Sequence, residues 1–430
     1  MNYLAYIDPG TGSMMFTIII GIVTTLFFAL RGLLIKFKFG FHKGSGKGSK
    51  NKLPIVIFTD SKRYWNVFKP ICDEMERRGI DGEYWTASPD DPALQEQYQH
   101  IRCLFIGEGN RAFAKLNVMN AHICLATTPG LDVIQWKRSK NTDYYAHTSH
   151  ALDDGTMYRM FALDFYDCLL VSGENMVEPV RELERIRELP AKDIIVTGVT
   201  YMDELKFRWD ALQKEKEKKA KERIEQGLSA EEPHETTILC APSWGPNSIF
   251  NRYGEKFLKA LVDTGYHIVI RPHPQTPISD PELLKDLQMK FPANDQVEWN
   301  YDNDNFEILS RSDLLISDFS GITWDFCYVF DRPHIFADTH FELELLDADW
   351  LDRTPWILET LGKIGRQLRE EDFPHMKQII EDVLSDESYK RQREITRDES
   401  WAYRGEATVR TVDFLEKKLK ELQENGEAEA

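Results

Sequence analysis

The sequence predicts an α/β protein with two parallel, doubly wound sheets and a membrane-spanning helix before them. Three observations lead to this prediction. Short apolar runs alternate with amphipathic stretches in two separate blocks. A helical stretch rich in lysine and glutamate separates the blocks. An apolar run near the N-terminus is long enough to cross a bilayer.

The composition is that of a globular protein. The chain has 430 residues, 42% of them hydrophobic and 29% charged, so we expect two or three domains with a large core. A formal net charge of -18 repels phosphate backbones and argues against nucleic acid as a partner. The six cysteines form no Cys-x-x-Cys pair, and no G-x-G-x-x-G follows a predicted strand. We therefore predict no metal, no nicotinamide and no other cofactor.

The N-terminus is expected to anchor the chain in the cytoplasmic (inner) membrane. Residues 13–36 are mostly apolar and can cross about 30 Å of hydrocarbon as one helix. Positive charges lie at the end of this run and after it, which is the reverse of a signal peptide. By the positive-inside rule, residues 1–12 then lie outside, and the basic flexible linker 37–52 and the body lie in the cytoplasm. A buried core helix is the alternative.

Residues 53–200 are predicted to form the first doubly wound domain. Its predicted strands are 54–59, 101–106, 122–126, 168–172 and 193–197. Because amphipathic stretches separate these strands, the sheet should be parallel. Residues 201–235 follow as a charged, solvated helical connector.

The same pattern restarts over residues 236–385, which we predict to be a second doubly wound domain. Its predicted strands are 236–240, 266–271, 296–299, 314–317 and 334–337. Residues 386–430 are expected to be helical. Two such Rossmann-like domains that face each other leave a cleft between the carboxyl ends of their strands, where open α/β sheets bind ligands.

A run of small and polar residues follows the predicted strand 314–317. The candidate substrate-binding residues in this turn are Ser317, Asp318, Ser320, Gly321, Thr323 and Asp325. Backbone amides at a helix start, with the hydroxyls of Ser320 and Thr323, can hold a phosphate. Asp318 is expected to orient the turn rather than touch an anion. The alternative is an ordinary helix cap.

The strand 266–271 ends in Arg271-Pro272-His273-Pro274. The two prolines exclude a helix, so His273 is presented from a rigid, extended segment. Arg271 is a candidate bidentate ligand for phosphate, and His273 is a candidate catalytic residue that binds a phosphate oxygen or protonates a leaving group. A structural histidine is the alternative.

The polar segment 144–155 is expected to be a loop over the same cleft. His147 and His150 are candidate catalytic bases, and Asp153 and Asp154 follow closely enough to orient one of them. The same side chains have the chemistry of metal ligands, but His-x-x-His in a loop lacks the helical spacing of a zinc protease.

Over residues 144–414 these motifs resemble the CDP-glycerol glycerophosphotransferases of teichoic-acid-type polymer synthesis. The family's Lys-Pro-His-Pro is similar to residues 271–274. Its Ser-Asp-Tyr-Ser-Ser with a downstream aspartate is similar to residues 317–321 with Asp325. Further similar segments are 239–244, 331–336 and 404–410.

The resemblance implies a GT-B-like fold with an acceptor domain first and a donor domain second. The residues that it places at the donor's diphosphate are His273, Ser317, Ser320, Gly321 and Thr323, with Arg410 as a further candidate. Where the family has a Trp-His-Gly-Thr-Pro loop, residues 146–150 read Ala-His-Thr-Ser-His. The family's base therefore corresponds to His147 or His150, with His147 preferred.

The activity that the resemblance implies is transfer of glycerol phosphate, or of a related polyol phosphate, from CDP-glycerol or a similar CDP-polyol. The acceptor would be a hydroxyl of a cell-envelope molecule, and CMP would be released. A membrane-anchored enzyme suits a lipid-linked saccharide or polyol-phosphate acceptor, because both partners then diffuse in two dimensions. The alternative is a nucleotide-sugar glycosyltransferase or an epimerase-like enzyme of envelope polysaccharide synthesis, since the same fold serves those reactions.

Overall fold

The computed structural model describes residues 52–152, 154–230, 234–302, 304–338 and 341–428. The predicted membrane-spanning helix 13–36 and almost all of the basic linker lie outside these ranges. Within them, no helix combines the length and the apolar character needed to cross a membrane.

The first domain is built on a seven-stranded parallel sheet. Its strands are β1 Leu53–Thr59, β2 Gly82–Thr86, β3 Ile101–Phe105, β4 Asn120–Ala126, β5 Asn141–Thr148, β6 Cys168–Val171 and β7 Asp193–Val196. They lie in the order β3-β2-β1-β4-β5-β6-β7, so the winding reverses between β1 and β4. All five predicted strands of this domain are confirmed.

Two strands of the first sheet, β2 and β5, were not predicted from the sequence. Strand β2 begins with Gly82 and Glu83, which favour a turn. Strand β5 mixes polar and aromatic residues, and the expectation of a loop over 144–155 is wrong for its first part. Tyr145 and Ala146 are buried because β5 pairs with β4 on one side and β6 on the other.

Helices cover both faces of this sheet. They are α1 Trp65–Arg78, α2 Asn110–Leu116 and α3 Val177–Ile186, and α4 Thr200–Glu225 leads out of the domain. Helix α1 is amphipathic: Phe68, Cys72 and Met75 recur at helical spacing on one face, and all three are buried. The helix ends where Gly79 adopts a left-handed backbone with φ of 69°.

The second domain has a six-stranded parallel sheet. Its strands are β8 Thr237–Cys240, β9 His267–Ile270, β10 Val297–Trp299, β11 Leu314–Ser317, β12 His334–Ala337 and β13 Arg366–Leu368. Their order is β10-β9-β8-β11-β12-β13, with the reversal between β8 and β11. The five predicted strands are confirmed, and only the short β13 was missed.

The helices of the second domain flank this sheet. They are α5 Ile249–Arg252, α6 Gly254–Val262, α7 Thr276–Ser279, α8 Pro281–Lys290, α9 Phe306–Arg311, α10 Ile322–Trp324, α11 Trp356–Ile364 and α12 Met376–Ser385. Two C-terminal helices follow, α13 Ser388–Ser400 and α14 Ala407–Ala428.

The two domains meet at a buried seam around Asp203 in α4. Its carboxylate accepts hydrogen bonds from Trp401 Nε1 at 3.2 Å and from the backbone N–H of Ala407 at 2.9 Å. Beyond this point α14 packs back onto the first domain, where Val412 and Leu415 join the core. The C-terminal segment therefore ties the second domain to the first.

At this seam the backbone at residue 198 of the first domain lies so close to the C-terminal segment that only glycine fits there. Gly198 has φ of 86°, and a Cβ atom there would lie 2.5 Å from the carbonyl oxygen of Ala402. The N–H of Ala402 in turn donates to the carbonyl of Ser172 at 2.9 Å. The relative position of the two domains is thus fixed by main-chain contacts.

We predict that Asp203→Ala strongly destabilises the chain. The change leaves the Trp401 and Ala407 donors buried without an acceptor, so the free energy of unfolding should fall by about 2–5 kcal/mol. Urea unfolding followed by tryptophan fluorescence measures this.

Asp210→Ala is the matched control, because it lies on the same helix in an ion pair with Lys206 whose side chains are 40% and 47% exposed. That variant should lose less than about 1 kcal/mol. Equal losses in the two variants would contradict the assigned role of Asp203.

Candidate active site

Three strands of the second sheet end side by side at its carboxyl edge. Cys240 of β8 is level with Ile270 of β9 and with Ile316 of β11. Since neighbouring strands lie about 4.8 Å apart, the segments that follow β9 and β11 leave the sheet about 10 Å from each other. The segment after β8 lies between them, next to the point where the winding reverses.

The turn after β11 is attached to the loop after β8 by two buried side chains. Ser317 Oγ donates to the carbonyl of Ala241 at 2.7 Å. The carboxylate of Asp318 accepts from the N–H groups of Ser243 at 2.8 Å and Ile249 at 3.1 Å. Both side chains are at most 1% exposed, so neither faces a ligand. The expectation of a binding role is therefore wrong for Ser317, whereas Asp318 orients the turn.

Ser320 and Gly321 form the open part of this turn. Both are only partly buried. A Cβ atom added to Gly321 would meet nothing within 4 Å, so open space borders this residue. Helix α10 begins next to it, and the N–H groups of Thr323 and Trp324 already donate to the carbonyls of Ser320 and Gly321, at 3.1 Å each. The N–H groups that this turn can offer a phosphate are therefore those that precede them, at Gly321 and Ile322.

Thr323 and Asp325 lie behind the turn rather than in front of it. They are 0% and 4% exposed, and Thr323 Oγ1 and Asp325 Oδ1 have no hydrogen-bond partner among the described residues. Burial raises the pKa of Asp325 to about 7. Part of its population is therefore uncharged at neutral pH, which reduces repulsion of an anion near the turn.

The guanidinium of Arg271 is held by the segment after β10. It contacts the side-chain oxygens of Asn300 and Asn305 and donates to the carbonyl of Asp302 at 2.6 Å. The side chain is buried at 8% exposure. Neutral groups of the protein thus use three of the five N–H donors of Arg271, and its binding to phosphate stays a prediction.

His273 reaches the cleft as a neutral imidazole. Its Nδ1 accepts from the N–H of Gln275 at 3.1 Å, which leaves the proton on Nε2. Its ring lies 6.3 Å from that of Trp244. Burial, followed by the positive charge of Arg63 in the first domain, lowers the pKa of His273 to about 4. At neutral pH His273 can donate a hydrogen bond but carries no charge.

His150 stands at the matching edge of the first sheet, directly after β5. Its Nδ1 lies 3.0 Å from Thr127 Oγ1, and Thr127 follows the neighbouring strand β4. Its ring makes an edge contact with Tyr64, at 4.9 Å between centroids, and Tyr64 follows β1. The hydroxyl of Tyr158 lies 3.5 Å from the same nitrogen. His150 is partly buried, at the carboxyl edge of the first sheet.

His147 lies inside the first domain, within β5. It is 3% exposed, and its Nε2 donates to the carbonyl of Thr127 at 3.2 Å. Burial, followed by the nearby His150, lowers the pKa of His147 to about 3. The preference for His147 as the base is therefore not supported by its position, since an acceptor hydroxyl would have to enter the core to reach it.

The carboxylate expected to orient the histidines has another role. Asp154 accepts from the N–H and the hydroxyl of Thr156 at 3.0 and 2.6 Å, and from the N–H of Trp356 in the second domain at 2.8 Å. It therefore joins the two domains. Asp153, the other expected carboxylate, lies outside the described residues.

Arg410 makes its contacts within its own segment. Its guanidinium pairs with Glu406 at 2.9 Å and lies 3.4 Å from the ring centre of Tyr403. These contacts do not bring Arg410 to the turn at Ser320.

Sequence reasoning missed Arg63, Tyr64 and Thr127. They follow β1 and β4, the two strands at which the first sheet reverses its winding. The strand predictions for 54–59 and 122–126 contained the signal, because ligands bind beyond the carboxyl ends of strands at such a reversal. In the part of the chain that the structure describes, no three His, Cys, Asp or Glu side chains gather as they would around a metal ion.

Comparison with known proteins agrees with this architecture. A family model for CDP-glycerol:poly(glycerophosphate) glycerophosphotransferase matches residues 131–417. No curated protein sequence matches the chain closely enough to count as a relative.

Several solved structures share the fold. A structure of the wall teichoic acid polymerase TagF is 17% identical with a TM-score of 0.56, over 87% of this chain and 91% of that one. A histidine variant of TagF soaked with CDPG is 16% identical with a TM-score of 0.55, over 93% and 98% of the two chains. UDP-GlcNAc 2-epimerase from Neisseria meningitidis bound to UDP-GlcNAc is 13% identical with a TM-score of 0.53, over 84% and 99%. At these identities the likeness shows the GT-B-like fold alone.

Proposed function

Because the chain belongs to the CDP-glycerol:poly(glycerophosphate) glycerophosphotransferase family, we propose that it transfers glycerol phosphate from CDP-glycerol to an acceptor hydroxyl and releases CMP. The proposal also covers a related CDP-polyol as the donor. One observation carries the proposal for the site. His150 of the first domain and the His273 and Gly321 segments of the second stand at the sheet edges that border the same cleft.

In the proposed reaction, His150 is the base. The contact of its Nδ1 with Thr127 Oγ1 orients the ring, and Nε2 is the nitrogen that takes the proton of the acceptor hydroxyl. Thr127 is itself held by His147, whose Nε2 donates to the Thr127 carbonyl. His147 is thus a positioning residue, and Thr127 takes the orienting role first expected of a carboxylate.

The acceptor oxygen then attacks the β-phosphorus of the donor. A bond forms between this oxygen and the β-phosphorus, and the bond from the β-phosphorus to the bridging oxygen breaks. CMP leaves with the bonding electron pair, while the acceptor's proton stays on His150. No covalent enzyme intermediate is required.

The second domain supplies donors for the leaving group. The N–H groups of Gly321 and Ile322, where the turn leads into α10, would bind diphosphate oxygens. His273 adds a neutral Nε2–H donor, since its pKa of about 4 keeps it uncharged at neutral pH. Because it is already neutral, His273 stabilises the leaving phosphate by hydrogen bonding rather than by giving up a proton.

We also propose that residues 13–36 anchor the enzyme in the cytoplasmic membrane and that its acceptor is lipid-linked. The apolar run, and the lysines of the linker 37–52, support this proposal. An anchored cleft would meet an acceptor confined to the same surface.

The anchor is tested by cell fractionation and by protease digestion of spheroplasts. The full-length chain should sediment with membranes, its body protected from external protease, and a chain lacking residues 1–52 should be soluble. Recovery of the full-length chain in the soluble fraction would contradict the anchor.

The reaction is tested by donor screening with the purified full-length chain. CMP should be released from CDP-glycerol, whereas UDP release from UDP-GlcNAc would favour the nucleotide-sugar alternative. His150→Ala and His273→Ala should each reduce the rate of CMP release about 10²- to 10⁴-fold without changing the circular dichroism spectrum.

His100→Ala is the matched control. His100 pairs with Asp81 and precedes β3, so it lies at the opposite edge of the sheet. This variant should keep the wild-type rate. Near-wild-type rates in both active-site variants would remove the roles assigned to His150 and His273.

A further inference from the structure

Arg63 has no role in the reaction as proposed above. It belongs to the short 3-10 turn Lys62–Tyr64 that follows β1, at the point where the first sheet reverses its winding. The side chain is exposed and makes no ion pair or hydrogen bond with any residue that the structure describes. Its neighbour Lys62, by contrast, is paired with Asp90.

The guanidinium of Arg63 is held in place without the use of its N–H groups. Its Cζ lies 4.7 Å from the ring centre of Tyr64, a cation–π contact. This contact directs the side chain while all five N–H donors stay available to a ligand.

Arg63 is linked to both catalytic histidines. The Tyr64 ring on which it rests makes an edge contact with His150 at 4.9 Å. Across the cleft, its charge acts on His273 of the second domain. Arg63 is therefore close enough to both sides of the proposed reaction to act on the group that is transferred.

A diphosphate donor is bound best by a cationic group whose N–H donors are not already used by the protein. The chain as a whole carries a net charge of -18. The guanidinium of Arg271 is already bound by Asn300, Asp302 and Asn305. His273 is neutral. A cation near the diphosphate is worth most where water is partly excluded, as in an interdomain cleft.

We propose that Arg63 binds the diphosphate of the donor, at the β-phosphoryl group that is transferred, from the side opposite to Gly321. The assignment rests on the proposed function and deepens it. Arg63 belongs to the first domain and Gly321 to the second, so the bound donor bridges the cleft. CMP, which lacks the β-phosphoryl group, reaches only the second domain.

Calorimetric titration of the full-length chain with CDP-glycerol and with CMP tests this assignment. Arg63→Ala should weaken CDP-glycerol binding about 10- to 100-fold, as expected for loss of charge-assisted hydrogen bonds, and should change CMP binding less than about 3-fold. Arg63→Lys should keep part of the affinity, because it retains the charge but not the planar fork. Lys62→Ala, the matched control in the same turn, should bind both ligands as the wild type does.

Three outcomes would overturn the role of Arg63 alone, provided that the wild type releases CMP from CDP-glycerol. One is unchanged CDP-glycerol affinity in Arg63→Ala. Another is an equal loss of affinity for CMP and CDP-glycerol. The third is a rise in the acceptor KM with unchanged donor affinity, which would place Arg63 on an acceptor phosphate. A wild-type chain that neither binds CDP-glycerol nor releases CMP would overturn the proposed function together with this assignment.

Discussion

The buried carboxylate of Asp318 holds together the two loops that form the second domain's side of the cleft. By accepting from the amides of Ser243 and Ile249, it ties the turn after β11 to the loop after β8 at the winding reversal. It also occupies the start of α5, where the partial positive charge of helix amides would otherwise attract an anion. The adjacent turn at Gly321 is left as the open phosphate site, held in position by a group that does not touch the ligand.

The chain is acidic, but little negative charge lies near the proposed diphosphate site. Asp318 is buried, and the pKa of Asp325 is raised to about 7 by burial, so carboxylate charge near the turn is either withdrawn or reduced. His273 is kept neutral, and backbone amides carry no net charge. Positive charge comes from Arg271, which neutral groups of its own domain hold, and from Arg63 on the opposite domain. The seam at Asp203 therefore affects the reaction as well as the stability of the chain. It fixes the distance between the site residues of the first domain and those of the second.

The sequence predicted the architecture well because both sheets are covered on two faces by helices. Strands such as 314–317 are continuous apolar runs, and these are readable without a structure. Strand β5 was missed because it contains the polar residues Thr142 and His147, which do not indicate burial in a sequence. Both are buried because neighbouring strands cover them. The strand ends that carry the candidate residues were predicted correctly, whereas the contacts of individual side chains were not. Whether a serine or an arginine faces a ligand or the protein depends on tertiary partners: Ser317 finds the Ala241 carbonyl, and Arg271 finds Asn300. The same reasoning applied to the residues after 54–59 would have included Arg63.

A crystal structure of the full-length chain with CDP-glycerol tests the central claim most directly. The account predicts that diphosphate oxygens lie within about 2.7–3.2 Å of the backbone amides at Gly321 and of His273 Nε2, with the β-phosphorus facing His150. A diphosphate bound elsewhere, or held in the cleft by Arg271 with the Gly321 turn left unoccupied, would contradict it.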